Sequence, residues 1–331
     1  MTNSKRIAII GNGSWATALA KILIGNINHI NWFIRKEKTI QYIKDFHHNP
    51  KYLSSVEFDV KKIHFFSDIN EIIQESDILI FAKPSAFLEI ILENLCVPLN
   101  NKIVVSAIKG LIPVEDLSIS QYFNQKHQID YNQLAVISGP SHAEEIALER
   151  LSYLTIASEN NVITKELANL FQNRYVNTIQ SKDILGVEFS AVLKNIFAIA
   201  AGIAKGLGYG DNFQAVLVSN AQKEIKRFLL NMNHYTREDC NSVYLGDLLV
   251  TAYSQFSRNR HFGTMIGQGY SVKSIQLEMD LVAEGFFATK GIHELNKKIK
   301  LDLPIVETVY HILYKKKSPE TQLKKLSTIL Q

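Results

Sequence analysis

The sequence predicts an α/β protein, with a doubly wound sheet in its first half followed by a mostly α-helical C-terminal domain. Three observations carry that expectation. As far as about Ser181, short β-branched runs alternate with helical patterns, the signature of βαβ units and a parallel sheet. Several of those runs are apolar throughout, as strands covered on both faces are. Beyond Ser181 the alternation stops and helical periodicity takes over.

Taken in order, Ile7–Ile10, Asn31–Ile34, Ile78–Ala82, Lys102–Ser106 and Leu134–Ser138 read as strands of four or five residues. Helical segments such as Trp15–Leu23 and Leu88–Leu95 lie between them. In the second half Glu188–Ala204 forms one long helical pattern. Phe213–Leu230, Leu245–Ser254, Ser274–Met279, Phe286–Lys298 and Ile305–Lys315 follow it. The expected domains are therefore residues 1–183 and 184–331.

Composition limits the function classes. With 331 residues, 46% hydrophobic and 21% charged, the chain suits two globular domains and argues against disorder. A net charge of +4 suits an anionic small molecule and is too mild to imply nucleic acid. The two cysteines, Cys96 and Cys240, are far apart and lack C-x-x-C spacing, which argues against a disulfide framework or a thiolate metal site and fits a reducing compartment. No run approaches the roughly 18 apolar residues of a membrane span, and the N-terminal apolar run is too short for a signal peptide. The expectation is a cytoplasmic protein without membrane insertion. Among ten histidines only His47 and His48 are close in sequence, so no metal site is expected.

The first strand runs directly into Gly11, Gly13 and Ala16 at G-x-G-x-x-A spacing. The first glycine permits a tight turn and the second lets the backbone approach a pyrophosphate. The third small residue lets the helix pack near the strand, with its N-terminus facing the phosphates. In this strand–turn–helix context the motif predicts a Rossmann-type dinucleotide site. After the second strand come Arg35 and Lys36, where an acid would favour NAD and an arginine accommodates the 2′-phosphate of NADP. Glu37 is close by, so both NAD and NADP are expected.

Between Val187 and Ala204 only Glu188 and Lys194 are ionisable. At 100° per residue Lys194 shares its helix face with Ser190, Ala191, Ala198 and Ala201, small residues that allow close approach of another element or a ligand. An ammonium held there is desolvated, which suits it to proton transfer. On spacing alone, a snorkelling surface lysine is the commoner case. Asp247 in LGDLL equally fits a helix N-cap, and Arg258 in SRNRH equally fits a solvated basic loop.

Seven segments tip these choices: IAIIGNGSWATALA, AIKGL, LAVISGPSHAEEI, GVEFSAVLKNIFAIAAGIAKGLGYGDN, LGDLLVT, SRNRHFG and VAEGFFATK. In order and spacing they resemble the bacterial NAD(P)-dependent sn-glycerol-3-phosphate dehydrogenases along almost the whole chain. The resemblance implies hydride transfer between NAD(P)(H) and the pair dihydroxyacetone phosphate and sn-glycerol 3-phosphate, supplying the latter for phospholipid synthesis. It also implies a homodimer.

Residue by residue, the resemblance makes Lys194 the proton-exchanging lysine and Asp247 the aspartate beside it. Lys109 becomes a second lysine that touches both substrate and cofactor. Gly139 and Ser141 line the substrate pocket, and Ser257, Arg258 and Asn259 form a loop holding the substrate phosphate. Cofactor contacts fall to Gly11, Gly13, Ser14, Trp15, Arg35, Ala143, Val282 and Glu284, with Arg258 also near the cofactor.

Two positions depart from the family pattern. Ala16 replaces a glycine, which the fingerprint tolerates. Lys83 stands where the family usually has an apolar residue before Pro-Ser; it either adds a positive charge near the nicotinamide end or points to solvent. Two other readings compete, a 3-hydroxyacid or 6-phosphogluconate-type dehydrogenase and an inactive dinucleotide sensor. SRNRHFG with LGDL opposes the first; the presence of Lys194, Asp247 and Arg258 opposes the second.

Overall fold

In the computed structural model, residues 5–113, 115–232, 235–279 and 283–331 are described. They divide into two compact units. One comprises Met1–Ile108 with Ile119–Ile184, the other Lys109–Ser118 with Leu185–Gln331. A single cut at 183/184 places 109–118 in the first domain, but this segment packs with the second unit.

The first unit contains β1 (Ile7–Ile10), α1 (Ser14–Asn26), β2 (Ile30–Phe33), α2 (Glu37–Phe46), β3 (Ile63–Phe66), α3 (Ile69–Gln74), β4 (Ile78–Phe81) and α4 (Leu88–Leu92). It continues through β5 (Ile103–Ser106), α5 (Ile119–His127), β6 (Leu134–Ser138), α6 (Ala143–Ala147), β7 (Ser152–Ala157), α7 (Asn161–Phe171) and β8 (Val176–Ser181). The sheet order is β3-β2-β1-β4-β5-β6-β7-β8. Every neighbouring pair is parallel except β6–β7. The doubly wound arrangement is therefore as the sequence predicts, with strand order reversing beside β1, where open α/β sheets bind ligands. Ile9, Trp32, Ile80 and Ile137 of the sheet and Leu19, Ile22 and Phe171 of the helices belong to its core.

Three strands escape the sequence pattern. β3 is an edge strand with mixed burial, and β8, also at an edge, is half exposed and polar. β7 carries Ser, Thr and Tyr within SYLTIA. None has the continuous apolar run that marks the central strands.

The second unit is helical: α8 (Ile184–Gly206), α9 (Asp211–Met232), α10 (Asp247–Tyr253), α11 (Arg258–Gly267), α12 (Val272–Glu278), α13 (Glu284–Ile299), α14 (Pro304–Lys315) and α15 (Pro319–Ser327). A π-helical turn, Ser242–Gly246, leads into α10. α8 is long and apolar enough to cross a membrane, yet it is buried within the protein. Its Gly202 and Gly206 meet Gly263 and Gly267 of α11 so closely that a Cβ at any of the four would overlap backbone of the other helix. This contact fixes how far the start of α11 stands from the middle of α8. Buried Glu224 of α9 accepts the N–H groups of Ile305 and Val306, 2.6 and 3.3 Å away, and so caps α14 from outside.

Candidate active site

The dinucleotide motif lies where β1 passes into α1. Gly11 has φ +139°, and a Cβ there would strike the Ala82 carbonyl, so glycine is required. The three carbonyl oxygens of this turn are all held by the protein. Trp32 Nε1 donates to Gly11 O (2.6 Å), Asn49 Nδ2 to Asn12 O (3.1 Å) and the Thr17 hydroxyl to Gly13 O (3.0 Å). Gly11 N bonds the Phe33 carbonyl, so with the carbonyls turned inward it is the N–H groups at the start of α1 that face a ligand. Gly13 caps α1 without a side-chain acceptor, and a Cβ on it would meet nothing within 4 Å. Open space before an uncapped helix N-terminus is what a pyrophosphate needs, and in this respect the residues fit the cofactor. Asn49, which also bonds Thr17 Oγ1 at 3.0 Å, is a positioning residue that the sequence does not single out; an asparagine in a loop carries no periodic signal.

Ser14 is buried at the start of α1, Trp15 packs against the core and Arg35 is exposed beyond β2. Gly139, Ser141 and Ala143 follow β6. Gly139 has φ +111°, its carbonyl accepts the Ser141 hydroxyl at 2.9 Å, and buried Ala143 opens α6. All these residues belong to the first unit.

In the second unit the structure brings Lys194, Asp247 and Lys109 together. Asp247 Oδ1 accepts a hydrogen bond from Lys194 Nζ, while Oδ2 lies 3.3 Å from Lys109 Nζ. The Lys194 and Asp247 side chains are 5% and 2% exposed, so the charges meet out of water; Lys109 retains 20%. Burial lowers the Lys194 pKa to about 7, opposed by the Asp247 charge and reinforced by Lys109. Burial pushes the Asp247 carboxyl up, but the ammonium groups of Lys109 and Lys194 outweigh it and hold it below the usual carboxylate range. Two ammonium groups share one carboxylate, so one proton is poised for transfer. Neither the snorkelling lysine nor the N-cap fits this geometry: Lys194 is buried, and α10 is capped at Gly246.

Two neighbours missed by the sequence reading steady the cluster. Thr251, one turn beyond Asp247, donates to the Asp247 carbonyl at 2.6 Å. Asn195 Nδ2 donates to the Lys109 carbonyl at 2.8 Å, and Asn195 Oδ1 accepts from Asn259 Nδ2 at 2.9 Å. Asn195 directly follows Lys194, but its partners lie 86 and 64 residues away and leave no local trace.

The segment Ser257–Asn259 is not a loop. Ser257 is the N-cap of α11, its hydroxyl oxygen accepting Arg260 N at 3.3 Å, and Arg258 is the first helical residue. The Arg258 guanidinium is exposed and has no ion pair or hydrogen bond among the described residues. It therefore adds a cation to a helix N-terminus, where anions are already favoured. Asn259 is buried, and its Oδ1 accepts the Gly285 N–H at 2.9 Å beside Glu284, the first residue of α13. Both ends of its amide are thus engaged within the protein. Val282 lies outside the described residues.

Known proteins match this arrangement from end to end. The family described as NAD-dependent glycerol-3-phosphate dehydrogenase N-terminus matches residues 6–164, and its C-terminal counterpart matches residues 183–324. The chain belongs to the NAD-dependent glycerol-3-phosphate dehydrogenase family. It is 34% identical over 324 residues to the NAD(P)+-dependent glycerol-3-phosphate dehydrogenase of Bacillus pumilus, covering 97% of this chain and 94% of that one. The enzyme of that name from Bacillus subtilis is 34% identical over 325 residues, with the same coverage. The crystal structure of the glycerol-3-phosphate dehydrogenase of Coxiella burnetii superposes with a TM-score of 0.89 at 28% identity, covering 97% of this chain and 98% of that one. As a member of this dehydrogenase family, the protein is an NAD(P)-dependent oxidoreductase.

Proposed function

We propose that the protein interconverts dihydroxyacetone phosphate and sn-glycerol 3-phosphate with NAD(P)(H), supplying glycerol 3-phosphate for phospholipid synthesis. The observation that carries this reading is the Asp247 carboxylate shared by Lys194 and Lys109, a buried proton donor beside a fixed counter-charge. The first unit serves as the dinucleotide-binding domain and the second as the substrate domain. Gly11, Gly13, Ser14, Trp15, Arg35 and Ala143 would hold the dinucleotide, with Lys109, Arg258, Val282 and Glu284 contributing from the rest of the chain. When bound, the nicotinamide supplies the hydride.

The chain's own residues supply the remaining chemistry. In reduction, an N–H bond at Lys194 Nζ breaks as its proton passes to the carbonyl oxygen; in oxidation the neutral amine takes the hydroxyl proton. Asp247 stabilises the ammonium and orients it. Lys109, whose remaining exposure leaves its ammonium accessible, assists in polarising the carbonyl. Arg258, with Ser257 at the N-terminus of α11, binds the phosphate, and Asn259 keeps that turn in place. Gly139 and Ser141 would contact the substrate from their own unit. The protein works as a homodimer in the cytoplasm. Following the loss of reduced-cofactor absorbance with dihydroxyacetone phosphate, using NADH and NADPH in turn, tests the assignment; no phosphate-dependent turnover with either would reject it.

A further inference from the structure

Lys83, the position that departs from the family pattern, lies against the dinucleotide turn. The β1–β4 ladder continues past its last paired residues through Ala82 N to Ile10 O (3.0 Å), and Gly11 N bonds Phe33 O of β2 (3.3 Å). Gly11 is thus held between the ends of β2 and β4. Lys83 Cγ stands 3.2 Å from where a Cβ on Gly11 would be, so the lysine stem lies along the glycine. Two residues beyond the end of β2, on the other side of Gly11, is Arg35.

Among the described residues the two cations have no counter-ion. Neither makes a hydrogen bond or ion pair among the described residues. Glu37 is turned to the Ser67 hydroxyl at 3.4 Å, and Asp68 accepts Asn70 N and Glu71 N as the cap of α3. Burial lowers the Lys83 pKa, and the Arg35 charge lowers it further. Two like charges gathered without an acid oppose folding of the empty protein, and a multiply charged anion between them reverses that.

A dinucleotide offers two such anions. The pyrophosphate has its own donors, the N–H groups at the start of α1. In a dinucleotide site of this kind the adenosine ribose would lie near the end of the second strand, the place of Arg35, and Arg35 is the cation whose charge Lys83 feels. We propose that Lys83 and Arg35 together form a two-cation clamp for the 2′-phosphate of NADP(H), with Lys83 as a specificity-determining residue. This rests on the cofactor assignment above and adds a preference to it.

The test measures dissociation constants on the full-length protein for NADPH and NADH, and for the fragments 2′-AMP and 5′-AMP, with Lys83→Met and Lys83→Arg. Lys83→Met should weaken NADPH and 2′-AMP about tenfold or more, as for loss of a charge-assisted contact. NADH and 5′-AMP should change less than about twofold, and Lys83→Arg should restore most of the preference. The ligand-free Met variant should melt no lower than the wild type, since it loses an uncompensated half-buried charge. Equal losses for both dinucleotides would assign Lys83 to the pyrophosphate or to packing, and no loss at all would leave it a solvated side chain; either result overturns the clamp. Failure of the wild type to bind either dinucleotide would instead reject the cofactor assignment itself.

Discussion

Asn259 Nδ2 donates to Asn195 Oδ1 across 2.9 Å, joining the first turn of α11 to the middle of α8. The bond is one link in a chain. Asn195 reaches on to the Lys109 carbonyl, and Asn259 accepts the N–H of Gly285 at the start of α13. Three helices and the segment carrying Lys109 are thereby held in register around Lys194 and Asp247.

Replacing Asn259 with alanine should therefore do more than remove a polar group. It leaves Gly285 N–H and Asn195 Oδ1 buried without these partners, at about 1–3 kcal/mol each. The denaturant midpoint should fall accordingly, and kcat/KM for dihydroxyacetone phosphate should fall as well. A variant with wild-type stability would show that water replaces the amide at no cost.

The glycine contact between α8 and α11 makes a second prediction. In Gly202→Ala the new methyl meets the Arg260 carbonyl, a backbone atom that cannot swing aside. Forcing two helices apart costs about 1–3 kcal/mol. Since α11 begins with Arg258, the KM for dihydroxyacetone phosphate should rise in step with the loss of stability. Steady-state kinetics beside chemical denaturation measures both; an unchanged KM would uncouple the helix contact from the phosphate.

How much of this was visible in the sequence depended on whether the cause was local. The Gly11–Gly13 turn is set by adjacent residues, so strand, motif and helix could be read directly. β7 and β8 could not, because their polar residues break the apolar pattern. α11 contains two glycines that lower its helix propensity, yet they let it dock on α8, and that tertiary contact holds it helical. The pairing of Lys194 with Asp247 spans 53 residues, and only the family resemblance suggested it. Asn195 and Thr251 act through backbone carbonyls and had no motif to mark them.

Lys194→Ala should lower kcat by about 10²–10⁴-fold, the usual scale for a general acid–base group. Cofactor affinity should survive. Asp247→Asn should also slow turnover, because the buried Lys194 ammonium and the partly exposed Lys109 ammonium would lose their shared charge. Near-normal kcat in the alanine variant would remove Lys194 from the chemistry.

The pH dependence has opposite signs in the two directions. With Lys194 as the proposed proton donor, reduction would need its ammonium, whose pKa is lowered to about 7, so kcat/KM should fall as pH rises through that value. Oxidation needs the neutral amine and should rise over the same range. The substrate phosphate also titrates, near ~6, but is common to both substrates and cannot produce opposite slopes. Folding follows the same shift. The unfolded lysine keeps its proton to about 10.5, so this group favours the folded state increasingly as pH rises from about 7 towards that value. Parallel profiles in the two directions would assign the titration to another group.

Arg258 gives the last prediction. Its guanidinium is exposed at the first position of α11, beside the hydroxyl of Ser257, and has no partner among the described residues. The Ser257 oxygen already accepts Arg260 N, but its proton remains free to donate. A phosphate meeting this turn gains a two-pronged guanidinium, a hydroxyl and the positive end of the helix. The carbonyl end of dihydroxyacetone is small, so most binding energy must come from the phosphate, remote from the reacting carbon. Energy of that kind positions the carbonyl, and losing it should harm turnover as well as affinity. Arg258→Ala should cut kcat/KM for dihydroxyacetone phosphate by about 2–5 kcal/mol, the scale for truncating a charge pair. Unphosphorylated dihydroxyacetone should be a very poor substrate of the wild type and barely worse for the variant. Cofactor dissociation constants measured alongside separate a cofactor role from a substrate role. Equal losses for the two substrates would mean that Arg258 serves the cofactor or the fold, because a phosphate contact cannot be lost by a substrate that has no phosphate.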